Sequence, residues 1–425
     1  MMRARNAFVS WVNWMSWVQE FFSKKEFRPK IPAGPLSCFQ VSQKMNELEK
    51  TLAAVFFYSV LAGLMMNGLP LYLSSLGLSL QGMGVLFGFA ALISGLIKIA
   101  LSAWTDKTGR KKLTVAASGL TALTAGAFAF ASSFMQFAVI KPLYDFSYSF
   151  YFSLKNLRVI EISALKDRGR NLSLFYAVFG LAAAIGLLAS GFISTALGFQ
   201  AVFITAGLMG AASLLLALSF KESRAFKREN VHLSLEILKR REGRIFAAMN
   251  FLQGASANLV YAFVLPLFLQ SAFSLTFEQI GLVIGACFIV WSAALFFMRG
   301  KIDNYGALKI AGYCAVLDGV LFFGLSLVSV LPLVIILFLV ENAVYSVYPA
   351  ASGKIASQLP HKNDLGRDVM IFDYFYYFGS AAGLFIAGIL ASISFQLVFA
   401  TRAFFMLAIF VLIKKLPLHL EGHEK

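Results

Sequence analysis

Polar and apolar positions along this chain segregate on the scale of whole helices rather than single turns. From residue 51 onward, nearly uncharged runs alternate with short polar loops. Twelve such runs stand out: 51–73, 82–104, 113–131, 135–157, 172–195, 199–219, 245–270, 280–299, 307–328, 331–353, 368–392 and 396–416. About 20 apolar residues at a 1.5 Å rise each cross the hydrocarbon of a bilayer. Backbone groups in lipid must be satisfied within their own segment, so the runs predict helices. The alternating pattern of an outer-membrane barrel is absent. Composition agrees: hydrophobic residues make up 59% of the 425 and charged residues 14%, more apolar surface than a soluble chain could hide. The expected fold class is an all-α membrane protein with twelve transmembrane helices in two six-helix bundles.

The net charge of +16 changes the picture only through its placement. One set of alternate loops holds Lys107, Arg110, Lys111 and Lys112; Lys166, Arg168 and Arg170; eight Lys/Arg between Lys221 and Arg244; Arg299, Lys301 and Lys309; and Lys354, Lys362 and Arg367. The other set, near residues 75, 133, 197, 275, 330 and 394, has no Lys or Arg. Basic loops stay on the cytoplasmic side, which places both termini there. Short basic loops without interleaved aromatics argue against nucleic acid as a partner. Cys38, Cys287 and Cys314 show no pairing or metal spacing, and His232, His361, His419 and His423 all fall in cytoplasmic segments.

Residues 1–44 stand apart as an N-terminal extension. Asn6, Ser10, Asn13 and Glu20 recur at helical spacing among Trp11, Trp14 and Trp17, with Arg3, Arg5, Lys24 and Lys25 at the ends. That pattern predicts an amphipathic helix in the headgroup layer, followed by a stiff linker at Pro29, Pro32 and Pro35. A start of translation at Met45 is the alternative. The rest divides into a bundle over 45–220, a charged cytoplasmic linker over 221–244, a second bundle over 245–417 and a tail over 418–425. The division rests on an internal repeat. Gly68-Leu-Pro-Leu-Tyr-Leu73 ends the first run and Val264-Leu-Pro-Leu-Phe-Leu269 the seventh, with Pro70 and Pro266 196 residues apart. An offset of 197 then aligns Gly84 with Gly281, Asp106 with Asp303, Gly109 with Gly306, Asp167-Arg-Gly-Arg170 with Asp364-Leu-Gly-Arg367, and Phe175 with Phe372. A register kept across spans and loops is the mark of a duplicated bundle.

Twelve helices, the 6+6 repeat, the charged middle loop and Asp106-Lys-Thr-Gly-Arg-Lys-Lys112 after the second helix resemble the major facilitator superfamily, over roughly residues 45–416. Within it the pattern is nearest to drug and small-molecule efflux members. The family's loop is commonly Gly-x-x-x-Asp-Arg-x-Gly-Arg-Lys; here Ser102 and Lys107 depart from it, and the copy around Asp303 and Gly306 lacks the basic pair. The resemblance implies a cytoplasmic gate. Gly109 permits the tight turn. Asp106 can face the N-terminus of the eleventh helix near Gly366–Asp368, and Arg110 can reach Glu161 or Asp167.

A charge at the bilayer centre is costly, so each one within a span needs a reason. The spans hold Asp145, Asp318, Glu341 and Asp373, and the basic Lys98, Lys141 and Arg402. Lys155, Arg158 and Glu161 lie where they could reach the interface. Lys141 and Asp145 share one face of the fourth helix, continued by Tyr148. The offset carries Asp145 to Asn342, beside Glu341, with Tyr345 and Tyr348 following on that face. In the family, helices 1, 4, 7 and 10 line a central cavity. The resemblance therefore directs these residues to the substrate path, with Asn67, Gln253, Asn258 and Tyr261, and adds Asp373 with Tyr376 and Tyr377. A structural pair, Lys141–Asp145 or Lys141–Glu341, is the alternative. Removal from water disfavours the charged form of a carboxyl, which makes Glu341, Asp145 and Asp373 candidate proton carriers. Asp318 and Arg402, in helices usually peripheral, are expected to bond to neighbouring helices. Gly180, Gly186 and Gly191, and Gly379, Gly383 and Gly388, predict close helix packing.

These readings converge on a secondary transporter working by alternating access, proton-coupled, exporting amphipathic compounds. Uptake of an organic anion or nutrient is the second reading, and a non-transporting sensor or scaffold the third. No phosphate-binding loop points to ATP drive, no reactive constellation points to an enzyme, and no cofactor is expected. The expected partners are a small solute, protons and the lipid bilayer, and the expected state is a monomer, multi-pass in the cytoplasmic (inner) membrane.

Overall fold

The computed structural model describes residues 46–108, 110–163, 168–221, 235–298, 305–359 and 365–417, and among them no strand occurs. The extension up to residue 45 lies outside them. The helices are α1 (Glu47–Ser75), α2 (Leu80–Thr108), α3 (Arg110–Ala127), α4 (Phe134–Ile162), α5 (Arg168–Leu197), α6 (Phe199–Leu218), α7 (Arg241–Tyr261), α8 (Val264–Phe273), α9 (Phe277–Phe297), α10 (Ala307–Leu327), α11 (Leu331–Tyr345), α12 (Tyr348–Gln358), α13 (Leu365–Ile393) and α14 (Phe395–Ile413). With α7–α8 and α11–α12 each taken as one span, eleven are long and apolar enough to cross a membrane. The twelfth, α4, has 29 residues but carries Lys141, Asp145, Lys155, Arg158 and Glu161. Charge, not length, sets it apart.

Local chemistry accounts for the ends and breaks. Ser79 and Thr276, 197 residues apart, each accept a backbone N–H three residues on, at the starts of α2 and α9. Such caps satisfy donors that the first turn leaves unpaired. Pro266 and Pro349 lack the N–H that would bond to Ala262 and Tyr345, four residues earlier, and the seventh and tenth spans break there. Pro70 and Pro142 sit inside unbroken helices. The duplication is thus imperfect: Pro70 and Pro266 align, and only the second interrupts its helix.

Packing repeats as the sequence does. Helix α1 packs on α5 and α6, α3 on α6, and α2 on α4; correspondingly α7 packs on α13 and α14, α10 on α14, and α9 on α11. Two further pairs, α2 with α13 and α5 with α9, join the first six spans to the last six, and the repeat maps one pair onto the other. Glycine sets these distances. A Cβ on Gly186 would lie 2.1 Å from the Val60 carbonyl oxygen, and one on its repeat partner Gly383 2.3 Å from that of Ala255. Where the halves cross, a Cβ on Gly84 would lie 2.6 Å from the Gly388 Cα, and one on Gly191 2.4 Å from the Phe277 oxygen. Both crossings lie at the end away from the basic loops. Only a residue without a side chain allows backbones this close.

Candidate functional site

Helix α4 carries the first element of the site. Lys141 Nζ lies 2.6 Å from both Asp145 carboxylate oxygens, one turn apart on the same face. The ammonium also sits 4.3 Å above the Phe87 ring of α2. Phe87 in turn meets Phe263, at the α7–α8 break, with centroids 5.3 Å apart. The pair therefore adjoins a contact between the halves. Lys141 is buried, whereas the Asp145 side chain keeps 21% exposure. Tyr148 stacks between Tyr58 and Tyr144, at 5.0 and 5.7 Å.

A second charged group fills the interior of the last six spans. Arg402, Asp318 and Glu341 are each fully buried. Arg402 Nη2 lies 2.8 Å from Glu341 Oε1 and 3.3 Å from Asp318 Oδ1, and its guanidinium packs 4.1 Å over the Phe322 ring. The Tyr261 hydroxyl donates to Glu341 Oε2, and the Asn342 amide donates to the same oxygen at 2.9 Å. Two carboxyls facing one guanidinium make this cluster electrically neutral only if it also holds one proton.

The structure redistributes several sequence-predicted residues. Glu341 pairs with Arg402, not with Lys141, and lies inside packed helices rather than on an open face. Asp318 and Arg402 do bond to neighbouring helices, but to each other and to Glu341, so three charges expected apart form one group. Tyr348 stacks on Tyr345 at 6.0 Å but is wholly enclosed in the apolar core. Asn67 is buried and donates to Ser190 at 2.9 Å, binding α1 to α5; Asn258 donates to Ser380 at 2.9 Å, binding α7 to α13; Gln253 is buried. Lys155 and Arg158 are both buried. Lys155 lies 4.1 Å over the Phe220 ring, and Arg158 bonds to Glu47, Thr51 and the Lys221 carbonyl.

At the expected gate, Arg110 forms an ion pair with Glu161, binding the start of α3 to the end of α4. Gly306 precedes α10 with φ 86°, a conformation open to glycine. Gly109, Asp167 and Asp303, and the side chains of Asp106 and Asp368, lie outside the described residues. A group that sequence reasoning left out of the site is centred on Lys98. Its Nζ donates to Ser153 at 3.3 Å and to the Tyr377 hydroxyl, so α2, α4 and α13 meet there. Asp373, one turn from Tyr377, is exposed. The signal was a lysine inside an apolar run; its partners are distant in sequence.

Comparison with known proteins places this arrangement. The sequence profile of the Major Facilitator Superfamily matches residues 51–252 and again 245–424. A Lactococcus lactis subsp. lactis (strain IL1403) protein described as a multi-drug resistance efflux pump PmrA homolog is 31% identical over 180 residues; that stretch is 40% of this chain and 43% of the relative, less than half its length. Among solved structures, a bacterial homolog of the human lysosomal transporter Spinster, inward-facing and occupied, superposes with a TM-score of 0.71 at 12% identity, over 89% of this chain and 98% of its own. The nucleoside transporter NupG gives 0.69 at 15% identity, over 88% and 100%. The human organic anion transporter MFSD10 gives 0.64 at 15%, over 86% and 98%. At such identities the structures show the fold alone. The profile, matched once over each half of a duplicated set of helices, decides the matter: the chain belongs to the Major Facilitator Superfamily of membrane transporters.

Proposed function

We propose that this chain exports a small amphipathic organic solute by alternating access, driven by protons. The observation that carries the reading is the interface between the halves. At one end the helices meet backbone to backbone at Gly84–Gly388 and Gly191–Phe277. Toward the basic loops, Ser153 of α4 and Asp373 of α13 are exposed. These contacts support the reading of a carrier closed at the first end and open at the second. The two halves, residues 45–220 and 245–417, rock about the cleft. The basic loops and both terminal segments face the cytoplasm, so the open face is the inner one and the membrane is the cytoplasmic membrane. One protein molecule suffices, since the cleft lies within one chain.

The proton resides in the Asp318–Glu341–Arg402 cluster, where Tyr261 donates to Glu341. Export is favoured by the description of the Lactococcus relative. Uptake of an organic anion or nutrient is the second reading, which the buried Lys141 beside the contact between the halves would suit.

Purified protein in vesicles with an internal pH indicator tests the proposal. Addition of a transported amphipathic compound should move protons against it in wild type. A Glu341→Gln protein should exchange solute without moving protons. Unchanged proton movement in that variant refutes the coupling role, and no solute movement in wild type supports the sensor or scaffold alternative.

A further inference from the structure

Phe87 and Phe263 come from opposite halves, and both are buried in the apolar cluster that joins them. Their ring centroids lie 5.3 Å apart, with planes inclined by 50°. The stretch of α2 around Phe87 presses on α13 as well. Gln81 bonds to Ser392 at 3.1 Å, a Cβ on Gly84 would lie 2.6 Å from the Gly388 Cα, and one on Gly88 2.9 Å from the Phe385 ring. Phe87 thus belongs to the end at which the halves close. A lysine reaches this ring. Phe87 and Lys141 each stand about two turns into their helices, which begin at Leu80 and Phe134. The Lys141 ammonium lies 4.3 Å from the ring centre.

The Lys141–Asp145 pair lies within one helix, so it ties no two helices together. Beyond α4, the ammonium meets the Phe87 ring. Burying a charge in a span is costly, and an apolar side chain would fill the same space without that cost. What an apolar side chain lacks is direction: an ammonium is drawn to a ring face, whereas packing alone leaves the ring freer to turn. Asp145 fixes the ammonium in turn, with both carboxylate oxygens at 2.6 Å. We infer that Lys141 is a positioning residue for the closed end: it holds the Phe87 ring in the orientation that receives Phe263 from the other half, and Asp145 holds Lys141. The inference rests on the reading of a carrier closed at that end. A ring ordered in advance makes closure less costly, because its side-chain entropy is not lost again each time the halves meet. Phe87 and Lys141 both belong to the first half, so their own contact survives opening and stands ready for the next closure.

The test uses the full chain in vesicles, with a pair of spin labels at each end. Gln81 and Ser392 report the closed end; Ser153 and Gly353, exposed on α4 and α12, report the end toward the basic loops. Lys141→Met removes the charge and keeps an unbranched side chain. It should raise the share of long Gln81–Ser392 distances about 2- to 10-fold, the entropy of ordering one ring, and shorten Ser153–Gly353 in step. Asp145→Asn should act in the same direction, and Lys141→Arg should restore the wild-type distribution. In a Phe87→Leu background, Lys141→Met should add nothing. Unchanged distances in Lys141→Met overturn the inference, as does an equal shift in the Phe87→Leu background. So do long distances at both pairs together, which mark general loosening. Loss of fluorescein binding in Lys141→Met with unchanged distances makes Lys141 a contact for an organic anion instead. The expected shifts in a protein that moves no solute would remove the transport reading and leave the inference; solute exchange without the shifts would do the reverse.

Discussion

Replacing Arg402 by methionine should be among the most damaging single changes in the protein. The guanidinium is fully buried and lies 2.8 Å from Glu341 and 3.3 Å from Asp318, both also fully buried. Its removal leaves two carboxyls enclosed without a cation. Removing one partner of a buried ion pair costs about 3–5 kcal/mol. Loss of the stacking on Phe322 and Tyr261 acts in the same direction. The triple variant Asp318→Leu, Glu341→Met, Arg402→Met removes every charge and keeps similar volume; such replacements are often neutral or stabilising. Thermal unfolding of detergent-purified protein should rank wild type and the triple variant close together, with Arg402→Met well below both. Glu341→Gln, which leaves one carboxyl per guanidinium, should fall near wild type. If Arg402→Met melts with wild type, or the triple variant falls as far as the single one, the cluster does not stabilise the bundle by charge pairing.

Gly84→Val forces a side chain where the Gly388 Cα would be 2.6 Å away. Overpacking of about 1–3 kcal/mol against this conformer shifts its population roughly 5- to 150-fold, and spin labels at Gln81 and Ser392, hydrogen-bonded at 3.1 Å across the crossing, should report longer distances. Tyr261→Phe removes the hydroxyl that donates to Glu341. Leaving that buried oxygen one donor short should cost about 1–3 kcal/mol, read as a lower melting temperature with solute exchange retained. Glu161→Gln removes the carboxylate that pairs with Arg110 in a mostly buried setting; stability should fall, and the exchanged pair Arg110→Glu, Glu161→Arg should recover part of it in the same melt.

The twelve spans were legible in the sequence because the signal is local and cumulative: each needs only about 20 residues of low charge, whatever packs beside it. The duplication was legible too, as a register of Pro, Gly and Asp positions kept at an offset of 196–197. So was the i, i+4 pair Lys141–Asp145, since helical spacing alone brings those groups together. Spacing along one helix fixes which residues share a face, but not toward which neighbour that face turns. In lipid both the outer and the inner faces of a span are apolar, so hydropathy does not set the rotation. Rotation is set by where small residues let backbones close, as at Gly186, Gly383 and Gly388. Only the assembled helices therefore turned Glu341 toward Arg402, 61 residues on, and Lys98 toward Tyr377, 279 residues on. Sequence supplied the intramembrane charges; the tertiary packing chose their partners, because an enclosed charge must find its counter-charge in space rather than along the chain.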